Sequence, residues 1–449
     1  MTSRPENPSP TPSAADQPDT RNLAARAAAL TALEQVEMKG AVLDAALNGQ
    51  PAWRALPSRD RAFAFAIAAA AIRRVGALDE TLDAFLNKPL PDEAGRASRI
   101  LRLAAAELLV LDGAAHAAVD AAVELMGADR STFKYKGLAN AVLRRITREG
   151  REIFEAGDPL SDLPGWLAAR WVEQYGQARA RAMTAARSGP PPLDLTLKPD
   201  ENTAEWAQAL GAQTLPTGGL RRNAIGDVAG LAGYEDGAWW AQDAAAALPA
   251  ALLAAKPGER VADLCAAPGG KTLQLAGAGA NVIAVDRSAG RLKRVETNLK
   301  RTGLSAELVA ADAAQWRPDA PLDAVLLDAP CTATGTLRRR PDVAASKTES
   351  DIASLARVQA RLLDNAAEML KPGGRMIYCT CSLEPEEGER QIEALLKRRS
   401  DLVIDPVRPE ELPELESAID VNGVVRTTPD MWAERGHLDG FYIARLTRL

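Results

Sequence analysis

Between Pro257 and Ser382 the chain alternates short apolar runs, most closed by an acid or a cysteine, with longer amphipathic stretches. Arg260–Cys265, Asn281–Asp286, Glu307–Ala310, Leu322–Asp328 and Met376–Cys381 have the length and composition of strands. Ser288–Arg301 and Ser354–Leu370 instead place Leu292, Val295 and Leu299, and Leu355, Val358, Leu362 and Met369, at helical spacing. Strands separated by helices pair in parallel, so this part of the chain predicts an α/β domain with a mostly parallel sheet and helices on both faces. Ligands of such sheets sit at the carboxyl ends of the strands.

The first strand opens V-A-D-L-C-A-A-P-G-G-K-T, Val261 to Thr272. A strand, a glycine-containing turn and a helix present backbone N–H groups to a ligand. A phosphate-binding loop needs a glycine where Cys265 stands, and the Gly-x-Gly-x-x-Gly spacing that wraps a pyrophosphate is missing as well. Asp286, at the end of the second strand, is placed to accept the hydroxyls of a ribose, unless it is a structural acid. A nucleoside without phosphate fits this turn better, and S-adenosylmethionine is the common one. Asp263, Asp286, Asp312, Asp328 and Cys381 are all expected along one sheet edge. The sharper signal is Asp328-Ala329-Pro330-Cys331, with Cys379-Thr380-Cys381-Ser382 on the next strand. A buried cysteine usually packs as a small hydrophobe. Two cysteines and an acid at adjacent strand ends also suit methylation of a pyrimidine. Carbon 5 becomes nucleophilic only after a thiolate adds to carbon 6, the acid holds the N3 edge, and a base then removes the carbon 5 proton.

The whole chain has 449 residues, enough for two or three domains. Residues 1–20 are polar and proline-rich and predict a disordered tail. Residues 21–151 are alanine-rich with helical periodicity throughout (Leu30, Leu33, Val36; Phe63, Ile67, Ile72; Val119, Val123, Met126; Leu138, Val142, Ile146) and predict an all-α domain. At its end Arg130, Lys134, Lys136, Arg144, Arg145 and Arg148 form either a solvated face or a surface for RNA. Residues 152–236 read as a connector and a small α+β subdomain, and 237–449 as the sheet domain. Trp239 and Trp240 are expected to be partly buried, with base stacking as the alternative. No apolar run approaches the ~18 residues of a membrane helix. The N-terminus lacks a signal core, so a cytoplasmic protein without membrane contact is expected. The four cysteines have no Cys-x-x-Cys spacing, which argues against a metal site. With only two histidines, a cysteine nucleophile is better supplied than a histidine base. The net charge of −6 puts weight on local basic patches.

These motifs together resemble a known family. D-L-C-A-A-P-G-G-K-T, V-D-R-S, D-A-P-C-T-A-T-G-T, Y-C-T-C-S and the terminal Asp439-Gly440-Phe441-Tyr442 follow the order found in the NOL1/NOP2/Sun RNA 5-methylcytosine methyltransferases, in their bacterial Sun/Fmu (RsmB) branch. Upstream, Gly137-Leu138-Ala139-Asn140-Ala141-Val142-Leu143-Arg144, with Arg59-Asp60-Arg61, resembles a NusB domain. The resemblance implies a Rossmann-like class I methyltransferase domain behind a NusB-like one, with S-adenosylmethionine as cofactor and small-subunit (16S) ribosomal RNA as substrate. Its site residues carry over by position. Cys265, Ala266, Ala267, Pro268, Gly269, Gly270 and Lys271 would form the cofactor loop. Asp286 would hold the ribose, Asp312 would sit by the adenine, and Asp328 would lie between cofactor and target base. Cys381 would be the nucleophile, Cys331 would assist release, and Lys271 would orient Asp328. Cys265 and Cys379 match no catalytic role and read as packing. No metal is implied, and a monomer is expected. Two departures stand out: Thr196-Leu197-Lys198 replaces Arg-Val-Asn, and Arg338-Arg339-Arg340-Pro341-Asp342 replaces Arg-Arg-His-Pro-Asp. The triple arginine would flank the site, where it could hold RNA phosphates or be a solvated basic loop. The alternatives are a transfer RNA substrate, or a non-catalytic RNA-binding or assembly factor.

Overall fold

A computed structural model describes residues 22–223 and 228–449. The expected disordered tail, 1–20, lies outside them. The chain divides into two compact units, 1–157 and 158–449.

The first unit is helical among its described residues. Its longer helices are Leu23–Lys39, Ser58–Arg73, Val75–Phe85, Gly95–Leu109, Ala115–Ala128 and Lys136–Ala156. Alanines such as Ala29, Ala68, Ala105 and Ala139 are buried between them, around larger residues including Leu33, Ile67, Leu101 and Val142. Small side chains at these contacts let helices approach closely while keeping high helix propensity. Buried charge is paired: Arg26 with Glu107, and Arg102 with Asp79 and Glu37.

The second unit begins with helices Gly165–Tyr175 and Gln177–Ala185. A small antiparallel sheet follows, built from β1 (Leu193–Leu197), β2 (Gln213–Thr214), β3 (Leu220–Arg222) and β4 (Trp239–Ala241) in the order β2-β3-β1-β4. The large sheet contains β5 (Arg260–Leu264), β6 (Asn281–Asp286), β7 (Glu307–Ala310), β8 (Leu322–Asp328), β9 (Leu370–Thr380), β10 (Leu402–Ile404), β11 (Val425–Thr427) and β12 (Phe441–Arg448). Its order is β10-β12-β9-β8-β5-β6-β7, with β11 on β12. The five strands β5 to β9 are parallel, and β12 runs antiparallel beside β9. Along β8, Val325 and Leu327 face Leu362, Leu363 and Ala366 of helix Glu349–Met369, while Ala324 and Leu326 face Leu248 and Leu252 of helix Ala244–Leu253. Burial on both faces explains why these strands read as continuous apolar runs. The fifth of these strands starts earlier than its sequence suggests. The Lys371-Pro372-Gly373-Gly374 segment belongs to β9, opposite an irregularity at Leu322/Ala324 of β8, and Cys381 lies one residue past the strand end.

A buried charge network ties the small sheet to the large one. Both oxygens of Asp194 in β1 accept from Arg221 of β3 at 2.6 Å, and Arg221 also donates to the carbonyls of Arg435 and His437. Asp243 accepts from Arg338 at 3.1 Å and caps helix Ala244–Leu253 through Ala245 N–H, while Asp439 takes Arg339. Arg338 is thereby removed from the triple arginine expected to hold RNA phosphates, whereas the side chains of Arg339 and Arg340 are 37% and 42% exposed. Arg338 is 2% exposed and anchored to Asp243 and the carbonyl of Gly436, and Arg340 pairs with Asp342. Carboxylates nearly a hundred residues away in either direction meet these cations in the fold, which no local reading of R-R-R reveals. Nor are the two tryptophans a stacking platform. Trp239 and Trp240 are buried, and their ring N–H groups donate to the carbonyl of Ala232 and to Gln242.

Removing one partner of a buried charged network strands the others. Asp243→Ala is therefore expected to destabilise the second unit by about 3–5 kcal/mol, read as a lowered urea midpoint at neutral pH.

Candidate active site

Parallel pairing sets the carboxyl ends of β5, β6, β8 and β9 side by side: Leu264 is registered with Val285 and Leu327, and Asp328 with Cys379. The sequence order reverses between β5 and β8, which opens a crevice at those strand ends. Cys265 leaves β5 at φ 63° and Gly269 turns into helix Gly270–Gly277 at φ 107°. A Cβ on Gly269 would lie 3.1 Å from a methyl of Val295, so the loop is seated directly on helix Ala289–Thr302.

The predicted side chains distribute as follows. Asp286 sits at the end of β6 and accepts from the N–H groups of Ala267 (3.2 Å) and Ser288 (2.9 Å), with Arg291 at 3.2 Å. Asp312 follows β7 on an exposed turn, where it accepts from Ala314 N–H. Lys271 reaches back from the first helical turn, and its Nζ lies 2.8 Å from Asp328 Oδ2. Burial alone would lower the lysine, but the Asp328 carboxylate outweighs it and holds the ammonium above the usual range. Cys379, assigned to packing, is buried and also donates through its thiol to Asp328 Oδ1 at 3.7 Å; burial and that carboxylate keep the thiol well above its usual range. Cys265 is likewise pushed up to about 12 by burial and the nearby Asp328.

Cys331 and Cys381 meet: their sulfurs are 3.5 Å apart, both half-buried. Contact with Cys381, together with burial, raises Cys331 well above the usual thiol range. Asp263 departs from expectation. It is fully buried beneath the loop, donated to by the Thr272 hydroxyl at 2.5 Å, and does not line the crevice. Burial raises its carboxyl to about 7.

Several groups around the thiols escaped the sequence reading. Glu387 is buried among Thr332 and Gln359. Arg170 pairs with Glu384 and Glu386, and the Tyr175 hydroxyl donates to the carbonyl of Leu383, so helix Gly165–Tyr175 grips the loop after Cys381. Arg426 donates to the carbonyl of Ser382 and pairs with Glu389. The acid-rich run Glu384–Glu389 was visible, but nothing local separates its buried members from exposed ones. In the first unit, Arg130, Lys134, Arg144, Arg145 and Arg148 are exposed, and Phe133 stands 60% exposed with Lys136 Nζ 5.4 Å from its ring. Among the described residues no helix is long and apolar enough to cross a membrane, and no three His, Cys, Asp or Glu side chains gather as metal ligands would.

A family model described as 16S rRNA methyltransferase RsmB/F matches residues 250–447, and the NusB family model matches residues 23–148. The ribosomal RNA small subunit methyltransferase B of Xanthomonas campestris is 38% identical over 403 residues, covering 86% of this chain and 90% of that one. Its counterpart from Pseudomonas putida is 35% identical, covering 94% of this chain and 98% of its own. The crystal structure of PH0851 superposes with a TM-score of 0.73 at 23% identity, covering 95% of this chain and 98% of that one, a likeness of fold.

The buried Asp263 carboxyl gives the stability of the protein a pH dependence. A carboxyl whose folded value is raised stabilises the fold below its unfolded value near pH 4, and that contribution is lost as pH rises through about 7. Asp263→Asn, which cannot ionise, should gain stability relative to the parent between pH 5 and pH 8, by on the order of a few kcal/mol. Urea unfolding of both proteins at the two pH values measures it.

Proposed function

The chain belongs to the family of the small-subunit ribosomal RNA methyltransferases B, and from that premise we propose that it transfers a methyl group from S-adenosylmethionine to carbon 5 of a cytosine in 16S ribosomal RNA. The observation that carries the reaction is the contact between the thiols of Cys331 and Cys381 at 3.5 Å, beside the Lys271–Asp328 pair.

The crevice suits this methyl donor. Its loop lacks the glycine spacing of a pyrophosphate site, and the carboxylates of Asp286 and Asp328 end β6 and β8 on either side of β5, where negative charge favours a sulfonium cation. Asp286 retains acceptor capacity beyond its two backbone donors, as ribose hydroxyls require. Cys265 to Lys271 would hold the cofactor, with Asp286 at the ribose, Asp312 by the adenine, and Asp328 between cofactor and base. S-adenosylmethionine supplies an electrophilic methyl group to carbon 5.

The thiolate of Cys381 bonds to carbon 6, and the electron pair of the carbon 5–carbon 6 double bond moves onto carbon 5 and the N3 edge. The Lys271–Asp328 pair stabilises the charge that develops there. Once carbon 5 carries the methyl group, its proton must leave. A base takes that proton, the electrons of the broken C–H bond restore the double bond, and Cys381 departs as thiolate. Cys331 stands where it can assist this release. A cytosine inside a helix is out of reach, so the target is flipped or unpaired. The exposed basic residues around Phe133 support an RNA substrate through phosphate contacts.

Cys331→Ala, mixed with S-adenosylmethionine and unmodified small-subunit RNA, should give a protein–RNA band on a denaturing gel that disappears when Cys381→Ala is added. A band with transfer RNA only would keep the chemistry and move the substrate. No band with either RNA, and no methyl transfer by the parent protein, would leave a binding or assembly factor.

A further inference from the structure

We propose that Glu387 is a positioning residue that sets Cys331 against Cys381; this rests on the reaction proposed above. Glu387 ends a short turn of 3-10 helix, Pro385–Glu387, and is 0% exposed. A carboxylate without water is costly unless its oxygens are fully engaged. Here Oε1 accepts from Thr332 N–H (3.0 Å) and Gln359 Nε2 (2.9 Å), and Oε2 accepts from Thr332 N–H (3.1 Å) and from the Thr332 hydroxyl.

Three of those four contacts go to the residue directly after Cys331. The backbone carbonyl of Glu387 grips the other side. It accepts from the hydroxyls of Tyr378 (2.7 Å) and Thr380 (3.2 Å), on the strand that delivers Cys381. A third tie closes the set: the Thr332 hydroxyl lies 3.1 Å from that of Ser382, the residue after Cys381. Gln359 also donates to the carbonyl of Pro330, the residue before Cys331. One buried acid thus joins the loop after β8, the end of β9 and helix Glu349–Met369, and nearly everything it holds lies within three residues of a thiol.

The two cysteines act at different moments, which separates a positioning role from a general structural one. Cys381 is needed for attack on carbon 6, whereas Cys331 is needed only for release. The carboxylate acts on Cys331 through Thr332, so its loss should fall on release. Displacing a reacting group by about 1 Å costs on the order of a hundredfold in rate.

The experiment compares the parent, Cys331→Ala, Glu387→Gln and Thr332→Val with S-adenosylmethionine and unmodified small-subunit RNA. It reads steady-state turnover, methyl groups incorporated in a single turnover, and covalent adduct on a denaturing gel. Glu387→Gln keeps the side-chain shape but sets an amide N–H₂ among donors. It should lose roughly a hundredfold in turnover, keep single-turnover methyl transfer, and accumulate the adduct as Cys331→Ala does. Thr332→Val removes one contact of the clamp and should shift the same balance in the same direction, which decides the matter if Glu387→Gln does not fold. Parent-like turnover in the folded variants, or methyl transfer and adduct falling together, would overturn the positioning role. If Cys331→Ala itself traps no RNA, the reaction proposed above fails first, and visibly so.

Discussion

Strand β8 is paired in parallel on both sides, with β5 on one flank and β9 on the other, and the site inherits its geometry from those two ladders. The ladder to β5 brings Asp328 next to the loop that carries Lys271. The ladder to β9 sets Asp328 opposite Cys379, so the chain emerging from each strand places Cys331 against Cys381. A slip of one residue in either ladder would turn every side chain of that strand to the other face. The alternating burial of Ala324, Val325, Leu326 and Leu327 against different helices guards against such a slip.

Charge is used in two contrasting ways around this frame. Near the small sheet, Asp194, Asp243 and Asp439 are matched by Arg221, Arg338 and Arg339, which makes the network a fixed joint between two sheets. At the crevice the supply is less balanced. Lys271 faces Asp328 directly, while Asp263 is buried with only a hydroxyl donor to one of its oxygens. Such unequal environments are where proton affinities move furthest, and they gather at the strand ends.

Strand ends and periodic helices were legible because they depend on local rules. N-V-I-A-V-D is a strand wherever it is buried on both faces, and Leu292, Val295 and Leu299 mark one side of a helix in any context. Cys331 and Cys381 could be nominated because two thiols ending neighbouring strands is a pattern the chain order itself implies. What the local pattern did not decide was which charges around the two sheets are buried. Arg338 looked like a surface cation until Asp243 and Asp439 closed over it. Asp263 looked like a lining residue, yet the helix beginning at Gly270 covers it. Glu387 sits one residue from Glu386, and only the packing of helix Glu349–Met369 decides which of the two is buried. The same distance effect hides the grip of Arg170 and Tyr175 on the loop after Cys381, more than two hundred residues downstream.

The antiparallel strand β12, residues 441–448, lies between β9 and β10 and is the last element of the sheet. Gly440, just before it, donates its N–H to the carbonyl of Gly335 at 2.8 Å; a Cβ on Gly335 would strike the Gly440 carbonyl, so the two backbones touch beside the loop that carries Cys331. Until β12 pairs with it, β9 has an open hydrogen-bonding edge. Without residues 441–448 that edge would be exposed to pairing with other chains, beside the loop that carries Cys331.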